Sequence, residues 1–163
     1  MTSSHPALAA RSDRGTTEMP GPFTADAQIG RIRRGLVDRT LPKAEWTHGA
    51  HLTVALWITV SRPDLVPARD LPGIIRAYNE ATGVPNTDTS GYHETITQAN
   101  LRAVAAFVAA LPVGTQLYEA CNRLLVSPLA DKRWLLAHWS ERVLFSPAAR
   151  RGWVEPDLAP LAF

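Results

Sequence analysis

The stretch Glu45-Trp-Thr-His48-Gly-Ala-His51-Leu-Thr-Val-Ala-Leu-Trp-Ile58 carries two of the chain's five histidines, three residues apart, in an otherwise apolar run. It reads as a helix. Residues three apart share a helical face, with about 5–6 Å between Cβ atoms, so two imidazoles held this way can bind one metal ion. The same face continues through Leu52, Ala55 and Thr59, which turns the histidines toward a core. Burying polar groups without partners is costly, so an inward-facing pair requires something to meet it.

Working outward, the rest of the chain also reads as helices punctuated by Pro and Gly. Thr24 or Asp26 starts a first helix, carried by Ile29, Ile32 and Leu36, while Arg31, Arg33, Arg34 and Arg39 fall on its solvated side. Leu41-Pro42 ends it. A third helix runs from about Leu71 to Thr82, with Gly83 as its C-cap. The following loop, 84–91, is dense in turn formers, and Ser90 is read as the cap of a fourth helix with Tyr92, His93 and Glu94 in its first turn. On that helix His93, Thr97, Leu101, Val104, Val108 and Leu111 recur at three- and four-residue steps, placing His93 on a second core-facing stripe. A fifth helix covers about Thr115–Val126 and a sixth Asp131–Phe145, the latter carrying Trp134, His138 and Trp139. Ser146-Pro147 opens a short last helix through about Arg151, and Trp153–Leu158 is an extended tail packing back through Trp153.

The fold expected is therefore all-α: an irregular bundle of about six helices forming one domain over residues 23–163. Residues 1–22, rich in Ser, Thr, Pro, Gly and Ala without a sustained period, read as a disordered N-terminal tail that includes His5.

Composition narrows the function classes. At 163 residues, 45% hydrophobic and 20% charged, the chain has the make-up of a soluble globular domain. Its net charge of +2 is slight, and no Lys/Arg run is interleaved with aromatics, so a nucleic-acid partner has little support. No apolar segment approaches the roughly 20 residues that span a bilayer, and no apolar block resembles a secretory signal. The single Cys121 excludes an internal disulfide framework and fits a reducing cytoplasm. The partner expected is a small-molecule substrate, with neither nucleic acid nor membrane involved. No feature specifies an oligomeric state.

His48, His51 and His93 are the expected metal ligands, with His138 a further candidate. Neutral imidazole suits zinc, copper, iron and nickel, and three protein ligands with one open position suit catalysis. Glu94 and Glu45 are the nearest carboxylates in sequence, either completing the set or acting as general base. Glu45 gives Glu-x-x-His-x-x-His, but each three-residue step rotates about 60° around the helix, so Glu94 ranks above it. Asn79, Asn86, Thr89, Ser90, Tyr92 and Thr95 concentrate polar groups around the start of the His93 helix. They serve either as turns and caps or as the rim of a substrate pocket, with Tyr92 and Thr95 directed inward and Trp57 supplying an apolar wall. No Ser-His-Asp grouping, P-loop or Rossmann glycine pattern is present.

The segments Trp46-Thr-His48-Gly-Ala-His51-Leu52, Tyr78–Thr95, Ser127-Pro-Leu-Ala130 and Arg151-Gly-Trp-Val-Glu-Pro-Asp-Leu158 resemble those of an uncharacterised bacterial family of small helical proteins. The resemblance covers about residues 25–160 and rests on a W-x-H-x-x-H helix and a P-N-T-x-T-S-G-Y-H-E-T block. It implies one shared site at His48, His51 and His93-Glu94. In similar sequences an aromatic residue often stands where this chain has His138. The function expected is a metal-dependent enzyme, an oxidase or oxygenase acting on a small organic molecule, with iron or copper favoured and zinc also fitting. The alternatives are a metal-assisted hydrolase or lyase, and a non-catalytic helical module that binds a small ligand or metal.

Overall fold

The computed structural model describes residues 23–163; the tail read at 1–22 lies outside them. The described residues form seven α-helices and no β-strand: α1 Asp26–Val37, α2 His48–Ser61, α3 Pro67–Ala81, α4 Glu94–Ala109, α5 Leu117–Leu125, α6 Glu141–Leu144 and α7 Pro147–Arg151. Short 3-10 turns at Lys43–Glu45, Pro128–Ala130 and Lys132–Ala137 join them.

The apolar character of α2 on nearly every side makes it the central helix. Leu52, Val54, Ala55, Leu56, Trp57 and Ile58 are all buried, each large side chain contributing about 1.5–3 kcal/mol on leaving water. It packs on α1, α3, α4 and α5, building the main core. A smaller second core gathers Leu135, Trp139 and Leu144 against Ala99 of α4, with Trp134 and Trp153 at its edges. α4 therefore separates two cores, turning Leu101 and Val104 to one and Ala99 to the other. Inside the main core, Cys121 lies 3.3 Å from Thr53 Oγ1, and burial pushes its thiol up to about 11, the state of an inert small hydrophobe.

α3 begins earlier than the sequence suggests, because Pro67 at its first position costs no hydrogen bond. It then tolerates Pro72 in its interior. Pro72 has no N–H for the carbonyl four residues back, Ala68, but Gln98 Nε2 from α4 donates to that oxygen at 2.9 Å. Gln98→Leu is expected to cost about 1–3 kcal/mol in urea unfolding by stranding that carbonyl. Pro72→Ala, which restores the helical donor, should recover part of the loss in the Gln98→Leu background. Additive effects of the two substitutions would contradict this assignment.

Three expected boundaries are corrected by local capping and tertiary bonds. α2 starts at His48, not Glu45: Thr47 is extended and its hydroxyl accepts from Ala50 N, so the preceding residues close a separate 3-10 turn. α4 starts at Glu94, with His93 and not Ser90 as its N-cap. The expected helix 131–145 is divided, because the C-terminal segment takes its backbone groups. The Leu158 amide donates to His138 O at 2.9 Å, and Asp157 accepts from Ser140 N and Oγ at 2.8 and 2.7 Å. The short helix opened by Ser146-Pro147 forms as expected.

Candidate functional site

The three histidines of interest do different jobs. His93 caps α4: its Nδ1 accepts from Ile96 N at 3.3 Å, and its Nε2–H donates to Leu144 O at 2.9 Å. Both ring nitrogens are engaged, which fixes the tautomer and ties α4 to α6. Burial holds the ring below the usual histidine range, with the nearby Arg150 charge acting the same way.

His48, at the first position of α2, donates from Nε2 to Leu129 O at 2.9 Å. His51 differs from both. Its half-buried ring stacks on the indole of Trp46, with centroids 3.8 Å apart and planes at 30°, and neither nitrogen forms a hydrogen bond within the described residues. Burial, and then the adjacent His48, hold its pKa down to about 3, so it is neutral at physiological pH.

His51 forms part of the wall of two adjoining cavities. The first, about 450 Å³, lies between α2, α3, α4 and α7 and is lined by Trp46, Ala55, Leu71, Ile75, Tyr78, Asn79, Tyr92, His93, Lys43 and Arg150, among others. The second, about 500 Å³, is lined by His48, Leu135, Leu136 and Leu144, with Lys132, Arg133 and Glu141 at its exposed rim. His51, Ile96, Asn100 and Phe145 belong to both, and Phe145 is 56% exposed. The cleft thus sits where the two cores meet, its exposed walls mostly apolar but carrying polar groups such as His51, Asn79, Asn100 and Arg150.

The polar loop is built around Asn86. Its Oδ1 accepts from Asn79 Nδ2 and Tyr92 N, both at 3.0 Å, and its Nδ2 donates to Arg76 O at 3.1 Å. α7 clamps the loop from outside, Arg150 Nη1 donating to Gly91 O and Tyr92 O, and Arg151 pairing with Asp88. Glu94 is likewise engaged: Tyr92 Oη and Gln98 Nε2 each donate to it at 2.8 Å, and Arg76 lies 3.6 Å away. Burial and the Glu94 contact push the Tyr92 hydroxyl well up, so it remains a proton donor.

Among the expected site residues, His51, His93, Asn79 and Tyr92 line the first cavity, and His48 joins His51 in the second. The others are placed elsewhere. Glu45 pairs with Arg31; Glu94, Asn86, Thr89 and Ser90 belong to the loop and cap network; Thr95 donates from Oγ1 to Gly152 O at 2.8 Å. Trp57 is buried beneath Arg33 and Arg62, whose guanidinium carbons lie 4.9 and 5.7 Å from its ring. His138 belongs to the second core beside Trp134 and Trp139, its Nδ1–H shared between Ala159 O and Pro160 O. Among the described residues no group of three or more His, Cys, Asp or Glu side chains is arranged to hold a metal ion. The donor set of His48, His51 and His93 does not fit one ion while His93 spends both nitrogens on Ile96 N and Leu144 O.

Trp46, Tyr78, Asn100, Phe145 and Arg150 line the cleft without having been read as site residues. Asn100 carried a signal, a polar side chain inside an apolar stretch of α4; Arg150 carried none, since a basic residue in a helix's last turn is ordinary.

Comparison with protein-family models, with curated proteins and with solved structures gives no match. Among the described residues no helix is long and apolar enough to cross a membrane.

The neutral state of His51 has a consequence for stability. An imidazole with a folded pKa near 3 and an unfolded value near 6.5 binds fewer protons folded than unfolded below pH 6.5. Its contribution to stability is therefore complete above about pH 6.5 and is lost as pH falls, by up to about 1.4 kcal/mol per pH unit. Urea unfolding between pH 6.5 and 4.5 should show this slope, and His51→Gln should flatten it. The same slope in both proteins would show that His51 is not the group involved.

Proposed function

We propose that this chain binds a small organic molecule in the cleft between α2, α3, α4 and the Phe145–Arg150 segment, with neutral His51 as its central polar contact. One observation carries this reading: a stacked, unprotonated imidazole with two unpaired nitrogens stands on the shared wall of two cavities whose other walls are mostly apolar. Such a ring offers one donor and one acceptor on a half-buried wall that a ligand can reach. A group titrating near 3 is a weak base at neutral pH, so His51 serves by hydrogen bonding, orienting a polar group on the ligand, and not by taking its proton. Screening small aromatic and aliphatic compounds by ligand-observed NMR, against the wild type and His51→Gln, tests the reading. It expects hits weakened by about tenfold or more in the variant; hits equally strong in both would count against it.

Metal-dependent oxidation of a small molecule is a second proposal, supported by His48 and His51 lining one cavity and by the electrostatic influence of His48 on His51. A three-histidine site would require His93 to leave Ile96 N and Leu144 O. Elemental analysis of tag-free protein tests it: near-stoichiometric iron, copper or zinc, lost in His48→Ala, is the outcome this second proposal expects.

A further inference from the structure

The charged groups of the first cavity are all of one sign. Lys43 and Arg150 line it, and no Asp or Glu does. Neither cation has a carboxylate within 4.0 Å among the described residues, a state they share with Arg33, Arg34, Arg102 and others. Arg150 is unusual in how its guanidinium is used. Nη1 is anchored on Gly91 O and Tyr92 O, both at 3.1 Å, while among the described residues the buried Nε–H has no acceptor and Nη2 makes no hydrogen bond. Nε and Nη2 form the side-on edge of the guanidinium, which meets a carboxylate through two parallel N–H···O bonds. A buried, charged donor left without an acceptor is costly and rare in folded proteins, so its partner is expected from outside the chain.

Resting on the reading of the cleft as a small-molecule site, we infer that its ligand is an organic carboxylate. The carboxylate takes the Nε/Nη2 edge of Arg150; because Nε is buried and Nη1 is held by Gly91 O and Tyr92 O, the side chain turns on binding to present that edge, and the positive potential of Lys43 draws the anion in. The rest of the molecule lies against Trp46, Ile75 and Tyr78, which are too apolar to receive the charged end. The guanidinium fork meets carboxylate and phosphate alike; carboxylate is the ligand inferred because two cations beside a mostly apolar wall suit a singly charged group better than a dianion.

The test titrates tag-free protein with 3-phenylpropionate, hexanoate, the two corresponding amides and inorganic phosphate, following amide and indole NMR shifts. At least one acid should bind about tenfold or more tightly than its amide. Arg150→Lys, which keeps the charge and loses the fork, and Lys43→Gln should each narrow that ratio. Lys43 is exposed and outside the core, so its variant carries the test should Arg150→Lys unfold. Amides binding as well as acids would overturn this inference and leave the cleft reading standing. So would phosphate binding as tightly as the acids, or a ratio unchanged in the folded variants. If no acid and no amide binds, this inference falls, and the wider compound screen alone decides the cleft reading.

Discussion

Alanine at position 91 is expected to destabilise the protein by about 3–5 kcal/mol. Gly91 has φ +76°, a conformation that side chains disfavour, and a Cβ there would stand 2.5 Å from Pro85 O and 2.7 Å from Asn86 Oδ1. The neighbours cannot withdraw cheaply. Pro85 O is backbone, and Asn86 Oδ1 is already accepting from Asn79 Nδ2 and Tyr92 N. The strain would pass directly to Tyr92 and His93, and so to the start of α4. Gly83 provides the control: its φ is +73°, but a Cβ there meets nothing within 4 Å. Gly83→Ala should cost only about 1 kcal/mol, from backbone conformation alone. Urea unfolding of the two variants separates collision from dihedral strain, and equal losses would show that the Asn86 turn is not tightly packed.

The second large effect is His93→Ala, expected to cost about 2–4 kcal/mol. About 1 kcal/mol is the lost N-cap of α4, and the remainder comes from leaving Leu144 O without its donor. His93→Asn should recover part of the loss, since asparagine caps helices well but is too short to replace the imidazole at Leu144. The effect also depends on pH. The folded ring titrates below its unfolded value, so its contribution is complete above about pH 6.5 and is lost as pH falls, when a proton on Nδ1 would face the Ile96 N–H. The difference in stability between wild type and His93→Ala should therefore shrink on acidification. A constant difference from pH 7 to pH 5 would contradict the capping role.

These two residues also explain what could be read from the sequence. The helical periods of α2 and α4 were legible because long apolar faces repeat at three and four residues, and Pro and Gly mark most of the breaks. The motif containing Gly91, Tyr92 and His93 was legible as special, but not what makes it so. A capping role for imidazole depends on Nδ1 reaching Ile96 N while Nε2 finds Leu144, a residue 51 positions away. Spacing alone could not distinguish that from metal ligation. The same limit hid the division of the 131–145 segment, where bonds from Asp157 and Leu158 outcompete a continuous helix. His51 was the reverse case. The pattern that suggested a ligand pair turned it inward, but its stacking on Trp46 was not legible, because Trp46 lies outside α2 and is brought back by the turn at Lys43–Glu45. Arg150 was invisible because its meaning lies in an unpaired edge, which only coordinates reveal.

The most direct test of the central proposal is a two-dimensional ¹H–¹⁵N NMR map of the labelled protein as the strongest small-molecule hit is added. The account predicts that the largest shifts gather at the Trp46 indole, the His51, Ile75 and Tyr78 amides and the Asn100 side chain, with the Trp57 indole unmoved. Shifts centred instead on the Trp139 and Trp153 indoles of the second core, or scattered over the surface without saturation, would contradict it.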